Sequence, residues 1–171
     1  MKQKSYDAAI AELERAIQIR NDIQTHEDLA QALSSAGKYS EAVNQYESII
    51  RDHPTARNYF GLALACAKMG SYDRAEEFFR KAIEQNPDFA EAHFNLAVVY
   101  AKTGRLPEAI KSLEQCVRAN PNYTEAHYHL ALAYLQAHDA QAALNEYRIV
   151  MKLNPGVGKQ LESFFQQSRT E

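Results

Sequence analysis

Apolar and polar residues follow one another along this chain with the three-and-four spacing of helices that each bury one face, and the spacing breaks at regular intervals. Between Ala90 and Tyr123, Leu96, Ala97 and Tyr100 form one such face, and Ala109, Leu113, Cys116 and Val117 form a second. Gly104 interrupts the pattern between them and Pro121 ends it, which predicts two helices joined by a tight turn. Pro107 falls in the first turn of the second helix, where a missing backbone N–H costs little. Ala97 and Ala109 are small where two helix backbones must approach closely, so a larger side chain at either would push the pair apart.

The same unit recurs. Pro54, Pro87, Pro121 and Pro155 lie 33, 34 and 34 residues apart, and Leu29, Leu62, Leu96 and Leu130 keep those intervals. Ala9, Ala42, Ala75, Ala109 and Ala143 recur in register, with Leu13, Tyr46, Phe79, Leu113 and Tyr147 four places after them and turn glycines at Gly37, Gly70 and Gly104. A fixed period of this size marks stacked helical units, none of which buries its apolar face alone. Four complete repeats are expected at 23–55, 56–89, 90–123 and 124–157, within one domain spanning 1–171. Residues 1–22 read as half a repeat: Tyr6, Ala9, Leu13 and Ala16 match a second helix whose own first helix is missing. Residues 158–169 read as a capping helix, with Leu161, Phe164 and Phe165 covering the end of the stack and Glu162, Gln166 and Gln167 facing solvent. Ten helices follow from this division.

The spacing of Leu96-Ala97, Tyr100, Gly104, Ala109, Leu113 and Pro121 resembles the tetratricopeptide repeat signature, in register from Tyr6 to Pro155. Two departures stand out. The bulky residue that opens the first helix, often Trp in that family, is His26, Tyr59, His93 or His127, and His138 replaces the last turn glycine. The resemblance implies an all-α fold, a right-handed superhelical solenoid of antiparallel helix pairs whose concave groove is lined by the first helices and holds a protein or peptide segment.

Composition removes several other functions. With 19 Lys and Arg against 22 Asp and Glu, the chain has no single-sign field to gather nucleic acid or anionic lipid. Its longest apolar runs, such as Leu62 to Ala67, are far short of a membrane span, and Met1 to Ile10 lacks a signal-peptide core. Cys66 and Cys116 lie 50 residues apart without metal-site spacing, so reduced thiols and a cytoplasmic location are expected. Cys116 takes a small-residue position held by Ala16 and Ala82 elsewhere, and a buried free cysteine behaves as a small hydrophobe.

The candidates for catalysis are weak. Of the six histidines, His93 and His127 occupy equivalent packing positions, while His127 and His129 project to nearly opposite sides of one helix. Convergent metal ligands are not formed by that spacing. The run Asn154-Pro155-Gly156-Val157-Gly158-Lys159 looks superficially like a phosphate loop, but Leu153 and Gln160 stand where Gly and Ser or Thr are required. No catalytic residue, metal site or cofactor is expected, and the chain reads as a binding scaffold rather than an enzyme.

Numbering repeats from Ile23, Ala56, Ala90 and Thr124, the groove stripe of each first helix falls at positions 2, 5, 9, 12 and 13. In the first repeat the stripe is polar, with Gln24, Glu27, Gln31, Ser34 and Ser35. In the later repeats it carries Phe60, Leu64, Phe94, Val98, Tyr128, Leu132 and Leu135, rimmed by Arg57, Lys68, Lys102, Glu91 and Glu125, with Asn95 beside it. An apolar patch on a helix face that would otherwise be solvated marks a protein-binding surface. The alternative is that adjacent first helices bury one another at positions 5 and 9. The resemblance also allows two known binding modes to be checked. The family's clamp for acidic chaperone tails needs cations or asparagines where this chain has Phe60, Leu64, Asn95, Glu125 and His129, and only Asn95 fits; an asparagine ladder at position 6 would fall on Asp28, Gly61, Asn95 and His129. The uncovered strip Ala9, Leu13, Ala16 is a candidate edge for homo-oligomerisation; the alternative is that the chain is the carboxy-terminal repeat segment of a larger protein with a separate upstream activity, whose residues cover it.

Overall fold

The computed structural model describes residues 2–167, and among them it forms ten helices and no strand. They are α1 (Lys2–Ile19), α2 (Ile23–Ser35), α3 (Tyr39–Asp52), α4 (Ala56–Lys68), α5 (Tyr72–Gln85), α6 (Ala90–Lys102), α7 (Leu106–Ala119), α8 (Thr124–Gln136), α9 (Ala140–Leu153) and α10 (Pro155–Gln167). They fall into two compact units, Met1–Pro87 and Asp88–Glu171. In the first, α1 packs on α2, α3 joins α2 to α4, and α5 closes on α4. In the second, α6 pairs with α7, α8 with α9, and α10 covers α8 and α9. Each is an all-α stack of helix pairs.

The alanines at positions 8 and 20 show why the pairs close. Ala30 and Ala42, Ala63 and Ala75, Ala97 and Ala109, Ala131 and Ala143 are all essentially without solvent exposure. The turn within each pair is also repeated. Lys38 donates its N–H to Leu33 O (2.9 Å), Ser71 to Cys66 O (3.0 Å), Arg105 to Tyr100 O (2.8 Å) and Asp139 to Tyr134 O (2.9 Å). These are the long bonds of a Schellman ending, which needs a left-handed residue just before the donor. Gly37, Gly70 and Gly104 supply it with φ of 78°, 77° and 74°. His138 supplies it at the fourth turn with φ 60°, a conformation that strains a residue with a Cβ.

Two differences from the sequence pattern lie at the ends. The last helix starts at Pro155 rather than Gly158. Asn154 caps it, its Oδ1 accepting from Gly156 N (3.1 Å) and Val157 N (3.2 Å), and Pro155 takes the first helical position, where no N–H is needed. With the helix started a turn early, the face that packs on α8 and α9 is Val157, Leu161 and Phe165, while Phe164 stays 42% exposed. Arg169, the expected end of this cap, and Met1 lie outside the described residues. In α1 the buried face is built on Ile10, with Leu13 and Ala16 half-buried and Ala9 exposed. Equivalent alanines are fully buried in the other four units because each has a first helix against it; Ala9 has none among the described residues.

The histidines that open first helices are tied into the pairs. A residue at position 4 meets the residue nineteen places on, in the second helix of its own pair. His26 Nδ1 lies 3.3 Å from Gln45 Oε1 and its Nε2 2.7 Å from Asn21 Oδ1. Tyr59 stacks on Phe78 at 6.4 Å, and Lys81 sits 5.1 Å from the Phe78 ring centroid. His93 and Ser112 are both buried. His127 places Nδ1 2.6 Å from Glu146 Oε2 and Nε2 3.0 Å from Pro121 O. Both of these partners accept, so satisfying them requires both ring nitrogens to carry protons.

Desolvation alone would push the His127 imidazole down, but the Glu146 hydrogen bond, the Pro121 carbonyl and the Glu146 charge together raise it above its ordinary value of 6.5. A raised folded-state value contributes stability that is complete below 6.5 and is lost as pH rises through the folded value. The wild-type unfolding free energy measured in urea should therefore fall as pH rises across that window, and His127→Gln should flatten the dependence. An unchanged slope in the variant would place the titrating group elsewhere.

Candidate functional site

Each unit carries a recess on the face of its first helices. In the first unit it encloses about 370 Å³ between α2 and α4, lined by Gln31, Ser34, Ser35, Arg57, Phe60, Gly61, Leu64, Ala65 and Lys68, with Tyr39 and Tyr46 of α3 behind them. In the second it encloses about 320 Å³ between α6 and α8, lined by Ala97, Val98, Ala101, Lys102, His129, Leu132, Ala133 and Gln136, with Leu106, Ala109 and Leu113 of α7 behind them. The two are built from nearly the same positions. Positions 9, 12, 13, 17 and 24 of one repeat face 6, 9, 10 and 13 of the next, so Gln31 corresponds to Val98, Tyr46 to Leu113 and Leu64 to Leu132.

The sequence-predicted site residues divide accordingly. Arg57, Phe60, Leu64 and Lys68 come together in the first recess, and Val98, Lys102 and Leu132 in the second. Tyr128 lies instead in a shallower depression between α8 and α10, beside His129, Asn154 and Val157. Asn95 is tied to its own helix, its amide donating to Glu91 O at 2.8 Å. Leu135 is half-buried and lines neither recess. Phe94 departs most from the stripe pattern. It is 8% exposed, stacked on Tyr123 at 5.2 Å and edge-on to His129 at 5.5 Å, inside the cluster formed by α6, α7 and α8. Phe60 is also partly used for packing, its ring tilted on Phe79 at 5.8 Å. Position 5 thus divides, Phe94 packing against the next first helix while Phe60 both packs on Phe79 and lines the first recess, and position 9 faces the recess in both units.

The stripe omitted the second-helix residues at positions 17 and 24. They form the back wall in both units, as Tyr39 and Tyr46 or Leu106 and Leu113. The signal was present at Gly61. A Cβ there would stand 2.4 Å from Tyr46 Cζ and 2.6 Å from its hydroxyl, so a glycine inside a helix marks a crossing side chain. Burial raises the Tyr46 phenol above its ordinary value, with a hydrogen bond to Ser34 pulling the other way. It serves as a neutral wall.

Nucleophiles and metal ligands are poorly placed. Burial pushes the Cys116 thiol up to about 12, with Glu91 adding to the effect, and raises Cys66 as well, so both stay protonated. Among the described residues no three His, Cys, Asp or Glu side chains gather into a metal-binding group. No helix among them is long and apolar enough to cross a membrane.

Helix pairs in fixed register, with a recess on the first-helix face, define a class of repeat proteins. Tetratricopeptide repeat models match residues 27–88, 67–122 and 104–157, and the chain belongs to that family. A curated relative, the Hsp70-Hsp90 organising protein of Plasmodium falciparum (isolate 3D7), is 34% identical over 94 residues, half of this chain. The match spans only 17% of that relative's length. Among solved structures, a crystal structure of MamA is similar with a TM-score of 0.82 at 21% identity, covering 92% of this chain and 94% of that one. A crystal structure of YrrB, described as a TPR protein with an unusual peptide-binding site, has a TM-score of 0.75 at 18% identity, covering 94% and 84%. At these identities the likeness is one of fold.

Because Phe94 is enclosed, Phe94→Ala should cost roughly 3 kcal/mol of stability, the ordinary effect of emptying a buried aromatic site. Thermal melts read this directly. A variant as stable as the wild type would show that the ring faces solvent.

Proposed function

We propose that the chain is a protein-interaction module that holds a segment of another protein on a first-helix face, anchoring an apolar side chain in the recess at Leu64 or in the recess at Val98 and Leu132. The observation that carries this reading is that the same recess occurs in both units at equivalent positions, with an apolar wall in each. Family membership and the peptide-binding description of the YrrB structure support it. The chaperone-tail mode of an Hsp70-Hsp90 organising protein fits less well, since Phe60, Leu64 and Glu125 occupy positions that need a cation or an asparagine.

The reading is tested by a photo-crosslinking amino acid placed at Leu64 or Val98 in cells of the source organism, with peptide-level identification of what is captured. Control positions on outer helices, such as Lys111, should capture little. A synthetic copy of the captured segment should bind the wild type, and Leu64→Glu or Leu132→Glu should weaken it by about tenfold or more while leaving circular dichroism unchanged. Equal capture at the control positions would remove the basis for the proposal.

A second reading is favoured by Ala9. Its exposure, with Leu13 and Ala16 half-buried beside it, gives α1 a face of the kind that a first helix covers elsewhere in the chain. Self-association through that face would make the protein a homo-oligomeric scaffold. Sedimentation velocity should then show an assembly that Leu13→Glu dissolves. A strictly monomeric wild type at high concentration would sink this reading.

A further inference from the structure

The two recesses have equivalent positions but not identical charges. Position 13 contributes Ser35 and Lys68 to the first and Lys102 and Gln136 to the second, so each holds one lysine, on opposite sides. No Asp or Glu lines either recess, in a chain whose net charge is −3. Among the described residues neither lysine makes a hydrogen bond or an ion pair. Of the other cations, Lys38 pairs with Asp7 at 3.5 Å, Arg74 with Glu47 and Arg105 with Glu108 at 2.9 Å, whereas Lys111, Arg118 and Arg148 have no such partner among the described residues, so what sets Lys68 and Lys102 apart is their place at an apolar recess without acids. Arg57 adds a second cation to the first recess and also borders a polar depression containing Glu27 and Asp28. Those acids already have neutral partners, Asn58 at 2.7 Å and Gln24 at 3.0 Å. His129 adds little charge to the second recess, because the loss of water around its ring holds the imidazole below its ordinary value.

We infer that a segment bound in either recess is acidic as well as apolar, with an apolar side chain against the recess wall and an Asp or Glu of the same segment against that recess's lysine, Lys68 or Lys102. This rests on the peptide-binding reading above and narrows it to one partner chemistry. A lysine at the edge of an apolar recess attracts a carboxylate and repels a cationic segment, and such rim charges act more on selection and association rate than on total affinity. The site differs from the family's clamp for acidic tails, whose positions hold Phe60, Leu64, Asn95, Glu125 and His129 here. Glu125 would oppose a carboxylate at that place, whereas position 13 would receive one.

The test uses the full chain and two pools of synthetic peptides of about 12 residues, matched in apolar content, one carrying about four Glu and the other about four Lys. Fluorescence anisotropy should show the Glu pool binding more tightly, with affinity falling as salt rises from ~50 to ~500 mM. Lys68→Glu with Lys102→Glu should weaken the Glu pool by about five- to thirtyfold and strengthen the Lys pool, with circular dichroism unchanged. If both pools bind alike, without salt dependence, and Leu64→Glu abolishes both, the acidic preference is overturned while the peptide-binding reading stands. If neither pool binds, both fall.

Discussion

Alanines at positions 8 and 20 set the distance between the two helices of each pair, and the remaining contacts inherit that spacing. Eight of them, from Ala30 to Ala143, are enclosed almost completely. At such a separation a methyl group fills the available space, and anything larger would have to be accommodated by moving a helix. The turn is constrained by the same closeness. A short connection between antiparallel helices has to reverse within a few residues, which the Schellman bonds and left-handed residues at Gly37, Gly70, Gly104 and His138 accomplish.

Once the pairs are fixed, the first-helix face follows. Position 9 of adjacent first helices borders a gap whose back is closed by positions 17 and 24 of the intervening second helix. The walls differ in chemistry. Tyr39, Tyr46 and the polar Gln31, Ser34 and Ser35 give the first recess more hydrogen-bonding capacity, while Leu106, Leu113, Val98 and Leu132 make the second more uniformly apolar. A common backbone register thus presents two different surfaces.

The contact between position 4 and the residue nineteen places on shows how much chemical variety the frame tolerates. An imidazole–amide contact, an aromatic stack, and a histidine held between a carboxylate and a carbonyl all occupy it. No buried side-chain nitrogen or oxygen among the described residues lacks a partner. The absence of the family's customary Trp from these positions therefore leaves no unpaired group behind.

The sequence by itself determined the helix pairs, their order and the family, because a 34-residue period in proline, leucine, alanine and glycine reports local geometry that each repeat must satisfy separately. It also placed Leu64, Val98 and Leu132 at the same stripe position of three successive first helices. Tertiary packing alone decided which of the stripe's residues are free. Phe94 and Val98 are four residues apart on the same face, yet Phe94 is covered by Tyr123 at the end of its own repeat and His129 of the next, while Val98 borders the recess. Periodicity gives the direction in which a side chain leaves its helix; whether a neighbouring helix stands there depends on interhelical distance and tilt, which the pattern within one helix does not encode. The start of α10 belongs to the same class: Asn154 and Pro155 could either end one repeat or cap the next helix, and the packing of Val157 and Leu161 on α8 and α9 goes with the second.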